Sequence, residues 1–101
     1  MGNTGKPQSF GDLLRRYRKD RRLTQIRTKF KLDELNCPYS ISALSMWETG
    51  KRLPDNPEII AYLGIVYCLS HEQETALLES YIAELVIRKH KLYIDAKKKL
   101  P

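Results

Sequence analysis

Twelve of the chain's eighteen Lys and Arg residues fall within residues 1–52, against five Asp and Glu. Arg15, Arg16, Lys19 and Arg22 crowd one segment, Arg27 and Lys29 follow, and Lys51 and Arg52 close this half. Arg15 and Lys19 are four residues apart, so a helix would stack them, a repulsion of a few tenths of a kcal/mol in isolation. A nearby phosphate would offset that cost. Thr24-Gln25 then opens a second helical stretch, whose free N–H groups and Gln25 amide are natural phosphate donors. The chemistry open to this set is polyanion binding, and the alternative is a solvated basic face.

Other chemistries find no footing. There is no Ser-His-Asp set, no Gly-rich phosphate loop and no evident carboxylate pair, so no enzyme is expected. Cys37 and Cys68 form no CxxC, and His71 and His90 lack metal-ligand spacing to them, so no metal or cofactor is expected. The cysteines read as reduced thiols of a cytoplasmic protein, Cys68 buried in a helix and Cys37 near a turn. Residues 53–87 hold six acids and no Lys or Arg, whereas residues 88–101 hold six Lys and Arg and one Asp. The acidic block is a poor surface for a polyanion. It suits a basic partner, including the basic tail of another copy.

The elements that must position these groups read as all-α. With 101 residues, 42% hydrophobic and 30% charged, the chain is long enough for one compact domain. No apolar run approaches the roughly 20 residues that span a bilayer, and the N-terminus lacks a signal-peptide core. Residues 1–8 read as a flexible leader, 9–70 as the main domain, and 71–101 as a C-terminal helix with a basic tail. Ser9 caps a first helix whose Phe10, Leu13, Leu14 and Tyr17 form one apolar stripe, closed by Leu23. Residues 26–37 admit either one helix lined by Ile26, Phe30 and Leu35, or a distorted turn at 28–31 followed by a short helical piece. Pro38 forces the chain out of the helical region before it.

Ser40 then caps a short helix ending at Gly50, with Ile41, Leu44 and Trp47 at helical spacing and Pro54 forbidding its resumption. A lone Trp at such spacing is core, wedged against the first or fourth helix. Asn56-Pro57-Glu58 starts a fourth helix bearing Ile59, Ile60, Leu63, Val66 and Tyr67. Ser70 and Gln73 make a capping box for a fifth. That helix carries two apolar residues per turn, Leu77, Leu78, Tyr81, Ile82, Leu85 and Val86 among them. Either the surplus face binds a second copy or it folds back on its own chain. The helix can extend through residues 87–100, with a strand over 86–94 as the alternative.

The order LTQ at 23–25, LSMWETG at 44–50 and Pro54 resembles the phage-repressor and Cro-like helix-turn-helix family, the XRE family, over roughly residues 10–69. The resemblance implies a five-helix lambda-repressor-like domain with its third helix in the DNA major groove. It implies that Glu48 pairs with Arg18. It puts phosphate contacts on Gln25, Ser45 and Lys51-Arg52, and base-facing positions on Ser40, Ile41, Ser42 and Met46. None of those four is Arg, Lys, Gln or Asn, the residues that make bidentate base contacts. The stretch from Leu23 to Gly50 is also about five residues longer than usual for the family, which could lengthen the second helix or tilt the third. The expected function is a repressor-type transcriptional regulator acting on double-stranded DNA as a homodimer through the C-terminal helix. The alternative is the same fold used as an adaptor or antitoxin-like module for a protein partner.

Overall fold

The computed structural model describes residues 8–100, so the leader expected over residues 1–8 lies, Gln8 apart, outside the described residues. Five helices follow one another: α1 (Phe10–Asp20), α2 (Gln25–Glu34), α3 (Ile41–Thr49), α4 (Glu58–Val66) and α5 (His71–Lys99). No strand occurs among the described residues, and residues 86–94 are helical. No helix among them is long and apolar enough to cross a membrane.

Local chemistry sets most helix starts. Ser9, Thr24, Ser40 and Ser70 each accept a backbone N–H from the first turn of their helix, and Ser70 and Gln73 form the full capping box. These caps satisfy N–H groups that the helix itself leaves unpaired. At α4 the Asn56 side chain accepts from the N–H of Glu58 at 2.9 Å.

Four helices stop in the same way, with one residue in the left-handed region: Arg22 (φ 56°), Asn36 (57°), Gly50 (78°) and Cys68 (52°). The next residue's N–H then reaches back five residues, as from Leu23 to Arg18 O and from Leu69 to Gly64 O. Only α3 uses the residue that adopts this conformation without strain. Two expectations are thereby corrected. α1 ends at Asp20 rather than at Leu23, because Arg22 turns the chain. Cys68 is not buried in a helix; it is the exposed left-handed residue after α4.

The helices pack as a closed ring: α1 on α3 and α5, α2 on α3 and α4, α4 on α5. Inside lie Phe10, Leu14, Tyr17, Leu32, Leu44, Trp47, Ile59, Ile60, Leu63, Val66, Tyr67, Leu77 and Tyr81. α2 is a single helix, but its buried face is not the one its apolar residues mark. Thr28 and Leu32 are fully buried, whereas Ile26 and Phe30 are 51% and 56% exposed. Thr28 is tolerated inside because its hydroxyl bonds Thr24 O at 3.0 Å and meets the Tyr67 hydroxyl at 3.2 Å. Burial, outweighing that bond, pushes the Tyr67 phenol up to about 12. α2 has 10 residues, and residues 35–40 join it to α3 with Leu35, Cys37 and Tyr39 packed against the core.

α5 divides. Leu77 and Tyr81 are buried, and the Tyr81 hydroxyl donates to Pro54 O at 2.9 Å. Glu84 reaches 74 residues back to accept the N–H of Phe10 at 2.7 Å, capping α1 with a negative charge. Leu78, Ile82 and Val86 face outward, and every residue from 89 to 100 is exposed. One apolar stripe therefore folds back on its own chain, and the other stays open.

Candidate nucleic-acid interface

α3 has nine residues, fixed at both ends and along one face. Ser40 Oγ accepts from the N–H of Ala43 at 3.0 Å, and beyond Gly50 the N–H groups of Lys51 and Arg52 both close on Met46 O, at 3.0 and 3.3 Å. The exit of the helix is therefore held, not frayed. On the inner face Leu44, Trp47 and Glu48 are buried. Trp47 packs edge-on against Tyr39, ring centroids 4.9 Å apart.

Glu48 is the polar anchor. Its carboxylate accepts from Arg18 Nε at 2.6 Å and Arg18 Nη2 at 2.9 Å, a bidentate pair. Gln25 Nε2 donates to it at 3.1 Å, and Arg15 Nε stands 3.7 Å away. Arg18 Nη1 also donates to Leu23 O at 2.8 Å. The bond to Glu48 holds the Arg18 guanidinium above its usual value, against an opposing effect of burial. This one cluster joins α1, the turn before α2, the start of α2 and α3. A buried carboxylate is costly unless it is so surrounded, and here the surroundings orient α3.

The outer face carries the base-facing candidates. Ser40 and Ser42 are exposed, Ile41 and Met46 are 38% and 37% exposed, and Ala43 and Ser45 are half-buried. A shallow groove of about 220 Å³ runs along this face, and Ser42, Ala43, Met46 and Arg52 line it with the Tyr39–Trp47 pair. Its polar groups are hydroxyls, the Arg52 guanidinium and the Asp55 carboxylate, and its walls are methyl, thioether and ring.

Apart from the half-buried Ser45, the phosphate candidates fall into two groups. Lys19, Arg22, Arg27, Lys51 and Arg52 are exposed, and among the described residues no ion pair or side-chain hydrogen bond engages them. The others have partners: Arg16 Nη1 donates to Gln8 Oε1, Lys29 pairs with Asp33 at 2.8 Å, and Gln25 and Arg15 turn toward Glu48. Gln25 is thus half-buried in the anchor as well as sitting at the N-terminus of α2.

Three further participants lie outside the motifs of the sequence. Gly11 is where α1 crosses α3: a Cβ there would lie 2.6 Å from Glu48 O and 2.7 Å from Trp47 O. A glycine inside an otherwise well-formed helix, at a cost of about 1 kcal/mol, is the signal that could have found it. Arg21 donates to Tyr67 O and Cys68 O at 2.7 and 3.0 Å, closing the end of α4. Arg88 Nη2 donates to Gly50 O at 2.8 Å, tying α5 to the exit of α3. Nothing local marks either arginine. No family model, curated protein or solved structure matches the chain.

Proposed function

We propose that this protein is a DNA-binding transcriptional regulator of repressor type, with the α2–turn–α3 unit acting as a helix-turn-helix of the phage-repressor kind. One observation carries this reading. α3 is fixed by its inner face and caps, and its outer face leaves Ser40, Ile41, Ser42 and Met46 open while Arg27, Lys51 and Arg52 remain uncommitted nearby in the chain. Exposed cations without protein partners suit phosphate oxygens. The serines can bond several bases, and Ile41 can touch a thymine methyl. Without a bidentate reader on α3, sequence preference rests largely on DNA shape.

Selection of bound duplexes from a random pool at low salt tests the reading. Binding should weaken with salt at a slope close to the number of phosphates neutralised. Arg27→Ala and Lys51→Ala should lower affinity for all duplexes alike and reduce that slope. The absence of any bound duplex at low salt would refute DNA binding.

A second reading has its own support. Ile26 and Phe30 stand one turn apart on the outside of α2, each more than half exposed. Apolar residues so placed suit a protein partner, which would make the fold an adaptor or an antitoxin-like module. Loss of partner capture with Phe30→Ser, in a protein that binds no duplex, would favour it.

A further inference from the structure

α5 changes charge where it passes the end of α3. Residues 71–87 carry four glutamates and no Lys or Arg; residues 88–99 carry six Lys and Arg and one Asp. The helix dipole favours lysines in the last turn, but Arg88, Lys89 and Lys91 lie well before it. No ion pair among the described residues involves α5.

Two contacts fix the course of the helix here. The Tyr81 hydroxyl donates to Pro54 O at 2.9 Å, and two turns further on Arg88 Nη2 donates to Gly50 O at 2.8 Å. α5 therefore runs back along the segment 50–54 toward the exit of α3. Arg52, Arg88 and Lys89 line one hollow of about 410 Å³ with Asp55, Tyr81 and Leu92. Arg52 and Asp55 also line the groove on the outer face of α3. The groove of the base-facing candidates and the start of the basic half thus flank one short segment. From Lys89 to Leu100 every residue is exposed, so the helix continues clear of the core.

We propose, on the DNA-binding reading of α3, that the basic half of α5 is a second backbone-binding element, holding phosphates that flank those at Lys51 and Arg52. At a rise of about 1.5 Å per residue, residues 88–99 extend about 16 Å. That length matches about five phosphates along one strand of duplex. Arg88, Leu92, Asp95 and Lys99 recur at spacings that keep the face turned to the α3 exit, and Lys97 falls on the opposite face. Lys89 and Lys99 make the contacts, Asp95 opposes them, and Arg88 holds the helix in place through Gly50 O. Phosphate contacts of this kind add affinity and fix register without reading bases. They suit an α3 that lacks a bidentate reader.

The test is the salt dependence of binding by the full chain to duplexes recovered from a random pool, with hydroxyl-radical footprints of the same complexes. Lys89→Gln combined with Lys99→Gln should lower the salt slope by about 2. It should also shorten the protected stretch on one side and leave the ranking of duplexes unchanged. Lys97→Gln should leave slope and footprint alone. Asp95→Asn should tighten binding to every duplex. Melting temperatures should not move, because all four side chains are exposed. If wild-type protein binds and the double variant keeps its slope and footprint, the proposal falls while the α3 reading stands. Equal losses from Lys97→Gln overturn it too, since diffuse charge rather than contact would then be at work. So does a double variant that keeps its slope but no longer binds vesicles of anionic phospholipid, which would assign the tail to a membrane surface. Wild-type protein that binds no duplex refutes both readings together.

Discussion

On its inner side α3 presents Leu44, Trp47 and Glu48, and each meets a specific neighbour: the core, Tyr39, and the Arg18–Gln25 donors. On its outer side the same nine residues present Ile41, Ser42 and Met46 to solvent, beside the capping Ser40. The inner face is over-determined by aromatic packing, a bidentate ion pair and a backbone-to-backbone crossing at Gly11. The outer face is small and uncharged, and among the described residues its one side-chain hydrogen bond is the Ser40 cap on Ala43 N–H. The residues that hold the fold and those proposed to read DNA therefore lie on opposite sides of one short helix. Substitutions should separate them, with large stability losses on one side and almost none on the other.

The largest losses are expected where α3 is gripped. Trp47→Ala removes a buried indole and should cost about 3–5 kcal/mol, a large part of the roughly 5–15 kcal/mol that keeps a domain folded. Gly11→Ala should cost on the order of 3 kcal/mol. Its new methyl would stand 2.6–2.7 Å from two carbonyl oxygens of α3, and backbone cannot swing aside as a flexible side chain can. Urea midpoints measure both. A Gly11→Ala protein as stable as wild type would mean that α1 and α3 do not cross as closely as this.

Glu48→Gln comes next. It keeps the shape and an acceptor for Gln25, but leaves the Arg18 guanidinium, 12% exposed, beside a neutral amide. Breaking a buried pair from one side should cost about 3 kcal/mol. Because the cluster aims α3, DNA affinity should fall by a similar factor for every duplex. A selective loss for some sequences would move Glu48 from positioning to reading.

How much of this was legible depends on the distance over which each feature is decided. Ser9, Thr24, Ser40 and Ser70 could be read as caps because a cap is a contest between a side chain and its own next few N–H groups. Gly50 and Pro54 are equally local. The pairing of Glu48 with Arg18 followed from a resemblance, and the structure places the two in contact. Thr28 had no such signal. It enters the core because Tyr67, 39 residues away, offers a hydroxyl, while Ile26 and Phe30 point outward. Arg21 and Arg88 bond backbone carbonyls that only the folded chain brings within reach. The left-handed stops at Arg22 and Cys68 are set by where the next helix must start, and their side chains do not announce it.

The support beneath α3 should also show in alkali. The buried Tyr67 titrates near 12 rather than near 10. Between those values the unfolded chain loses its proton while the folded one keeps it, so stability falls as pH rises. The loss should reach about 2–3 kcal/mol by pH 12. Tyr67→Phe should remove the largest share of that slope, because the Tyr39 and Tyr81 phenols, also raised by burial, keep the rest. Unfolding curves at pH 9 and at pH 11.5 decide it. An unchanged slope would mean that Tyr67 is open to water.

Met46→Ala is the smallest expected change in stability and the sharpest test of the comparison. Met46 is 37% exposed and touches the outer groove, so truncation should shift stability by no more than about 0.5 kcal/mol. Its thioether is the bulkiest of the candidate base-facing side chains, and it is flexible enough to settle against different base steps. Removing it should reorder the duplexes recovered from a random pool while leaving the salt slope alone, because no phosphate contact is lost. Ser42→Ala on the same face should act in the same direction, since it too withdraws a group from base edges and none from phosphate. If Met46→Ala destabilises the fold by several kcal/mol, the outer face is part of the packing and the division between the two sides of α3 fails. If stability and duplex preference are both unchanged, the division stands, but the outer face does not read DNA and the preference must come from shape.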